Sequence, residues 1–256
     1  MTLRFSANLG FLWTELPLPE AIRAAARAGF DAVECHWPYA VPVAQVTAAL
    51  EETGLSMLGL NTDRGNVETG DNGLAALPGR REEARAAIEQ AFDHGAAIGA
   101  KAVHVMAGMA EGTAARGVFL DNLAHACDLA ATRGMTALIE PLNPRDAPGY
   151  FLNRQEQAAE IIEELGRPEP KIMFDCYHVQ VTQGDVLRRF EAVREHVGHV
   201  QFAGAPARGR PDEGEVAYDR LLPAIAEAGW NAPFGAEYKP GGPTEETLGW
   251  LQAFRD

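Results

Sequence analysis

Positive charge is scarce in this 256-residue chain, and the shortage excludes a class of partner. There are 22 Lys and Arg residues against 36 Asp and Glu residues, which gives a formal net charge of −14. Binding to a nucleic-acid backbone depends on clustered Lys and Arg side chains, so we expect no nucleic-acid partner. A small anionic substrate is not excluded, because it needs only one or two local cations.

Cysteines and long apolar stretches are also few. Cys35, Cys127 and Cys176 are scattered and form no CxxC pair, so the sequence predicts neither a disulfide framework nor a cysteine zinc site. No apolar stretch approaches the ~20 residues that span a bilayer. The first residues lack the apolar region of a secretion signal. We therefore expect a cytoplasmic protein that has no membrane partner.

Glycines divide the chain into a repeated unit. Ala- and Glu-rich segments with a helical pattern end at glycines, and a short apolar run follows each of Gly29, Gly54, Gly99, Gly134, Gly166, Gly198 and Gly229. Glycine suits the left-handed residue that ends a helix, because it has no Cβ to clash. Together with the first apolar run, the pattern predicts β-strands at 3–9, 31–36, 56–61, 101–106, 135–140, 171–175, 197–201 and 233–237.

Eight strands that alternate with helical segments predict an α/β fold in which a parallel sheet closes into a barrel. The strands are almost continuously apolar, as expected where helices cover the sheet. A doubly wound open sheet is the alternative, but no glycine-rich phosphate fingerprint follows the first strand. The length suits one (β/α)8 barrel and no linker is visible, so we expect a single TIM-barrel domain over residues 1–256.

Four polar residues stand at the ends of consecutive predicted strands: Glu140, Asp175, Gln201 and Glu237. The carboxyl ends of barrel strands converge where such enzymes build their active sites. Buried carboxylates without a counter-ion would repel one another strongly in a low dielectric. Three carboxylates and one amide offer only oxygen ligands, which favours Mg²⁺ or Mn²⁺ over Zn²⁺. The sequence therefore predicts a divalent-metal enzyme.

Several short motifs accompany these four residues: Asn61-Thr, Leu77-Pro-Gly-Arg80, Val103-His-Val-Met-Ala-Gly108, Ile139-Glu-Pro-Leu-Asn143, Phe174-Asp-Cys-Tyr-His178, His199-Val-Gln-Phe-Ala-Gly204, Asp212-Glu-Gly-Glu215 and Ala236-Glu-Tyr-Lys-Pro240. With them the chain resembles, over nearly its whole length, the hydroxypyruvate isomerase family within the xylose-isomerase-like TIM barrels. The resemblance implies that Glu140 and Glu237 are paired acid/base residues as well as metal ligands. It implies interconversion of hydroxypyruvate and 2-hydroxy-3-oxopropanoate (tartronate semialdehyde) by proton transfer through an enediolate.

Further polar residues near the strand ends are candidate substrate-binding groups, and they are Asn61, His104, His178, Arg210 and Lys239. His178 follows Asp175 by three residues and could donate a hydrogen bond to a substrate hydroxyl. His104, in the middle of a strand, could equally be a buried structural histidine. Arg210, in the loop at 202–217, could pair with a substrate carboxylate; Arg64, Arg80 and Lys239 compete for that role.

The alternatives use the same barrel on other substrates. A 2-oxo-tetronate isomerase would need a slightly longer pocket, and a ketose 3-epimerase would use the two glutamates on a neutral sugar, without a convergent Arg or Lys. An endonuclease for abasic DNA would require metal-binding histidines and a basic groove, which this acidic chain with Gln201 does not offer. A non-catalytic sugar-acid binding protein would not need both glutamates. We expect a small hydroxy-oxo acid or sugar as partner; a homo-oligomer fits such barrels, but the sequence marks no interface.

Overall fold

A parallel sheet organises the chain, whose computed structural model describes residues 2–255. Within these residues the sheet has nine strands, in the order β3-β2-β1-β9-β8-β7-β6-β5-β4. The strands are β1 (Phe5–Asn8), β2 (Ala32–Glu34), β3 (Ser56–Met57), β4 (Gly59–Asn61), β5 (Ala102–His104), β6 (Thr136–Ile139), β7 (Pro170–Asp175), β8 (Val197–Phe202) and β9 (Phe234–Ala236).

The two strands at the ends of this order are parts of one predicted strand, and they close the barrel. Only Leu58 separates β3 from β4. The Leu58 N–H donates to the Val33 carbonyl at 2.7 Å, and the Cys35 N–H donates to the Gly59 carbonyl at 3.0 Å, so the whole segment is bonded to β2. Because β4 also pairs with β5, the sheet returns on itself and the predicted (β/α)8 barrel is confirmed.

Helices follow the strands and cover the outside of the barrel. In the described chain they are α1 (Leu18–Ala28), α2 (Val43–Thr53), α3 (Arg81–Ala97), α4 (Gly112–Arg133), α5 (Gln155–Leu165), α6 (Cys176–Thr182), α7 (Val186–Val193), α8 (Tyr218–Glu227) and α9 (Gly249–Ala253). Short 3-10 turns lie at Pro38–Ala40, Val67–Thr69, Arg194–His196 and Thr244–Thr247. Among residues 2–255, no helix combines the length and the apolar character that crossing a membrane requires.

Glycine ends four of these helices as predicted, but one of the seven predicted positions is wrong. The residues after α1, α2, α4 and α5 are glycines with φ between 62° and 89°. Gly198 instead lies inside β8. A Cβ there would lie 2.5 Å from the Cβ of Lys171, so this glycine serves the close approach of β7 and β8.

The two faces of the strands have different surroundings. The large core lies between strands and helices, where Phe5 and Phe202 each contact Trp250 with ring centroids 5.3 Å apart. Because strand side chains alternate between the faces, Ser6 and Asn8 of β1 point the other way, toward the barrel axis. Polar side chains of the strands therefore lie inside the barrel, toward its carboxyl end.

Candidate active site

The carboxyl end of the barrel brings the four predicted strand-end residues to one side. Asp175 and Gln201 are partners in the register between β7 and β8, and Gln201 is the partner of Gly235 in β9. Glu140 and Glu237 directly follow β6 and β9. All four are buried, with at most 6% of each residue exposed. Parallel strands paired in this register thus place three carboxylates and one amide around the axis.

Glu237 is the best-connected carboxylate of the group. Its Oε1 accepts a hydrogen bond from Asn8 Nδ2 at 2.8 Å and lies 3.0 Å from His36 Nε2. Its Oε2 accepts from Arg208 Nη2. Burial alone would raise the pKa of Glu237, but the charge of Arg208 and the hydrogen bond with His36 outweigh it and lower the pKa to about 2. Glu237 is therefore held in its ionised form.

Glu140 has the opposite environment. Its Oε1 is buried without a hydrogen-bond partner. The nearest ring nitrogens, His104 Nδ1 and His178 Nε2, lie 3.6 Å and 3.8 Å from its two oxygens. Burial, with the negative charges of Glu237 and Asp175, raises the pKa of Glu140 well above its ordinary value. Two glutamates with pKa values shifted in opposite directions are the arrangement that general acid and base chemistry needs.

His178 presents a proton donor to the space between two carboxylates. Its Nδ1 accepts the backbone N–H of Asn143 at 3.0 Å and lies 2.8 Å from Asn143 Nδ2. Burial, together with the charge of Arg208, lowers the pKa of His178 to about 3, so the ring is neutral. Since a backbone N–H can only donate, the ring proton is on Nε2, which lies 3.6 Å from Asp175 Oδ2.

The donor set fits a divalent ion bound through oxygen. Among the described residues, Glu140, Asp175 and His178 offer ligand atoms within 4.8 Å of one another. In the tautomer given above, His178 Nε2 has no free lone pair, so the carboxylates are the ligand atoms of this group. Gln201 Oε1, like Glu140 Oε1, is buried without a partner. Burial raises the pKa of Asp175 to about 7 although Arg208 acts against it. A further positive charge at this site would therefore stabilise the ionised carboxylate.

A second buried cluster supports Gln201 from inside the barrel. Gln201 Nε2 donates to Glu34 Oε2 at 2.7 Å. Glu34 also accepts from Ser6 Oγ at 2.8 Å and lies 3.1 Å, at both oxygens, from His199 Nε2. Burial would raise the pKa of Glu34, but the nearby His199 lowers it overall, while Glu34 raises the pKa of His199. The two therefore form a buried ion pair beneath the carboxylates.

A cavity of about 240 Å³ runs along the barrel axis beside these groups. Residues of the carboxyl end line one part of it, namely Asn8, Glu34, Asn61, His104, Glu140, Gln201 and Glu237. Residues near the amino ends of strands line the other part, among them Lys101, Thr136, Gly198 and Pro233. The two glutamates thus face an open space, where many TIM barrels pack layers of side chains.

Two of the predicted substrate-binding residues lie outside this cluster. The Arg210 side chain is 31% exposed and pairs with Asp212 and Glu213 of its own loop. Lys239 is exposed, and its backbone N–H donates to the Arg208 carbonyl at 2.8 Å. Of the other cations weighed from the sequence, Arg64 stacks on Trp37 and Arg80 pairs with Asp71 and Glu83.

Arg208 is the cation that the structure brings to the carboxylates. Its Nη2 donates to Glu237 and lies 3.5 Å from Asp175 Oδ2. The loop that carries it is tight, because Gly204 and Gly209 exchange backbone hydrogen bonds of 2.8 and 3.1 Å. Arg208 has φ of +55° in this loop, and its Nε is buried without a partner. A donor without a partner therefore lies in the side chain that contacts Glu237 and Asp175.

Sequence reasoning missed five buried or half-buried groups of the site: Asn8, Glu34, His36, His199 and Arg208. The rule that found the four strand-end residues applies equally to the first two strands, so it could have found Asn8, Glu34 and His36. His199 precedes Gln201 by two residues and shares its face of β8, which is a usable signal. No local signal separates Arg208 from Arg210.

Comparison with known proteins relates the whole chain to one family. A family model described as a xylose isomerase-like TIM barrel matches residues 22–254. The chain is 41% identical over 255 residues to a 2-oxo-tetronate isomerase of Cupriavidus necator, with 98% of both chains covered. It is 39% identical over 265 residues to a putative hydroxypyruvate isomerase of Mus musculus, covering 99% of this chain and 96% of the relative.

A solved structure agrees along the full length. A protein from Brucella melitensis described as an AP endonuclease of family 2 has a TM-score of 0.94, 36% identity and complete coverage of both chains. The similarity in fold therefore extends over the full length of both chains.

Proposed function

Because this chain belongs to the xylose isomerase-like TIM barrel family, we propose that it is a divalent-metal-dependent isomerase of a short-chain hydroxy-oxo acid. It is an isomerase, in keeping with its relatives named hydroxypyruvate isomerase and 2-oxo-tetronate isomerase. The proposed reaction interconverts hydroxypyruvate and 2-hydroxy-3-oxopropanoate. The observation that carries this proposal is the convergence of the buried carboxylates Glu140, Asp175 and Glu237 at one end of the barrel, where Glu140 Oε1 has no hydrogen-bond partner.

The reaction moves a carbonyl group between adjacent carbons, so a proton must leave one carbon and join its neighbour. Glu237 would take the proton from the hydroxymethyl carbon, and Glu140 would give one to the carbon that was the carbonyl, from the carboxyl oxygen that does not hold the metal ion. The hydroxyl proton passes to the former carbonyl oxygen, where the Nε2–H of His178 would donate a hydrogen bond. In the reverse direction the two glutamates exchange roles.

Glu140, Asp175, Gln201 and Glu237 would hold Mg²⁺ or Mn²⁺, a choice that their oxygen atoms support. When bound, the ion supplies positive charge that stabilises the enediolate oxygens and acidifies the C–H bond. The unpartnered oxygens of Glu140 and Gln201 support this assignment, since buried polar atoms normally have partners.

Arg208 takes, in this proposal, the role that the sequence suggested for Arg210. Its guanidinium is nearly buried, and its unpartnered Nε leaves a donor for a substrate carboxylate. A carboxylate that pairs with Arg208 would also draw positive charge away from Glu237. That withdrawal would raise the pKa of Glu237 and make it a stronger base at the moment when substrate is bound.

The four-carbon acid 2-oxo-tetronate is the second candidate substrate. The 41% identity to a 2-oxo-tetronate isomerase favours it, and the same two glutamates and Arg208 would serve it. A ketose 3-epimerase is less well supported, because a neutral sugar gives a buried guanidinium no carboxylate to bind.

The test is a proton NMR time course in heavy water with Mg²⁺-loaded enzyme, run separately on hydroxypyruvate, 2-oxo-tetronate and D-fructose. We expect conversion of an oxo acid and none of the ketose. Glu140→Gln and Glu237→Gln should each lose turnover by orders of magnitude, whereas Glu213→Gln, in an exposed loop, should not. Conversion of D-fructose alone would assign the chain to the epimerases, and near-normal turnover in either glutamate variant would exclude the two-carboxylate mechanism.

A further inference from the structure

The buried cluster of Ser6, Glu34 and His199 beneath Gln201 is not used by the reaction proposed above. Its members come from β1, β2 and β8 and are at most 6% exposed. A carboxylate inside a barrel is costly unless its oxygens are fully hydrogen-bonded. Both Glu34 oxygens do have partners, at 2.7 to 3.1 Å. The position of this group under a proposed metal ligand suggests a role toward that ligand.

An amide such as that of Gln201 can bind a metal ion through only one of its two ends, because the two ends differ chemically. The oxygen can bind a cation and the NH₂ group cannot. Glu34 Oε2 accepts from the NH₂ end at 2.7 Å, and an ionised carboxylate would repel the oxygen end. Gln201 Oε1 consequently points elsewhere, and it is buried without a partner. The contact with Glu34 thus selects which end of the amide is available.

The neighbouring strand makes room for this contact. Gly235 of β9 is the register partner of Gln201. A Cβ at Gly235 would lie 2.4 Å from Glu34 Oε1, 2.9 Å from Gln201 Cγ and 2.9 Å from His199 Nε2. The cluster therefore fits in this position because residue 235 has no side chain.

We infer that Glu34 is a positioning residue that orients the Gln201 amide so that its oxygen serves as a metal ligand. This inference rests on the metal site of the proposed function. His199 and Ser6 hold the Glu34 carboxylate in place, and Glu34 in turn holds the amide. The hydrogen bond from Gln201 to a charged acceptor also polarises the amide and strengthens its oxygen as a donor to a cation.

The test measures Mn²⁺ binding by the electron paramagnetic resonance signal of free Mn²⁺, without turnover. The proteins are wild type, Glu34→Leu, Gln201→Ala, the double variant and Ser6→Ala. Loss of an outer partner of a metal ligand typically weakens metal binding about 10- to 100-fold, which is the effect expected of Glu34→Leu. Ser6→Ala is the matched control, because it removes one bond to Glu34 and keeps the Gln201 contact, so its effect should be much smaller.

The double variant separates positioning from general damage to the barrel. If Glu34 acts through Gln201, Glu34→Leu should cause no further loss of Mn²⁺ affinity in the Gln201→Ala background. An equal loss in both backgrounds, or an unchanged affinity in Glu34→Leu, would overturn the inference. Glu34→Ala replaces Glu34→Leu if circular dichroism shows that the leucine variant is unfolded.

Two further outcomes distinguish this inference from the proposed function. If wild type binds Mn²⁺ and Gln201→Ala binds it equally well, Gln201 is not a ligand; the positioning role then fails, while a metal site formed by the three carboxylates and the proposed reaction still stand. If wild type binds no Mn²⁺, the metal role in the proposed function fails as well.

Discussion

Arg208 is enclosed by the groups that it contacts. Its side chain is 14% exposed, and its guanidinium carbon lies 4.7 Å from the ring centroid of Phe11 and 5.2 Å from that of Tyr177. Stacking on aromatic rings leaves the edge of the guanidinium free for hydrogen bonds in its plane. The contact with Glu237 is one such bond, and the buried Nε offers another. The proposed recognition of an acid substrate would use this one cation.

Arg208→Gln should therefore weaken kcat/KM for the acid substrate, whereas Arg210→Gln should not. Removing one partner of a buried charged pair costs about 2–5 kcal/mol, which corresponds to a loss of roughly 30-fold or more. Arg210 pairs with Asp212 at the surface, where such pairs contribute about 0–1 kcal/mol. Steady-state kinetics on both variants gives the answer, and a larger loss in Arg210→Gln would contradict the assignment.

At the scale of elements, β8 and β9 together build the floor of the site. The period of two along β8 puts His199 and Gln201 on the same face, toward the axis. Gly235 in β9 leaves the space that their side chains and Glu34 occupy. Gly59 in β4 is also a buried strand glycine, but a Cβ there would meet only the Ala102 carbonyl, at an ordinary 3.6 Å.

Gly235→Ala should lower the free energy of unfolding of the metal-free protein by about 1–3 kcal/mol, because an added methyl group overpacks the cluster. Gly59→Ala should change it by no more than about 0.5 kcal/mol, since nothing has to move. Urea denaturation of the two variants measures both changes. Equal stabilities would mean that the cluster adapts and that residue 235 does not need to be glycine.

At the scale of the whole molecule, one end of the barrel concentrates negative charge in a chain whose net charge is already −14. Glu34, Glu140, Asp175 and Glu237 are all buried there. Arg208 and His199 compensate part of this charge. Burial, helped by the negative charge of Glu237, raises the pKa of Asp175 to about 7 although Arg208 acts against it. A bound divalent ion should reduce the repulsion between these buried carboxylates and so stabilise the folded state.

Mg²⁺ or Mn²⁺ should therefore raise the melting temperature. An ion at 100 times its Kd stabilises the folded state by about 2.7 kcal/mol, which corresponds to roughly 5–10 °C for a chain of this length. Differential scanning calorimetry with and without a chelator measures the shift. Glu140→Gln removes a proposed ligand, so its shift should be smaller at the same metal concentration. An equal shift in wild type and variant would exclude Glu140 as a ligand.

The fold could be predicted because its signals are local. Each strand is marked by an apolar run and by a nearby glycine that follows a helix, and these marks recur at the spacing of one strand–helix unit. Together they correctly indicate the strands. The division of one predicted strand at Leu58 and the location of Gly198 inside β8 were not predicted. Both depend on how neighbouring strands approach each other, which a local pattern does not contain.

The sequence by itself determined the barrel and its family. It also determined that Glu140, Asp175, Gln201 and Glu237 lie at one end, because the period of two and the parallel strand direction decide where a strand-end side chain points. Their roles in binding and catalysis stay predictions. Tertiary structure alone decided that Arg208 rather than Arg210 meets the carboxylates, and that Gln201 is bonded to Glu34, which is 167 residues away in the chain. Such contacts depend on loop conformation and on strands meeting across the barrel axis, and these form only when the sheet has closed.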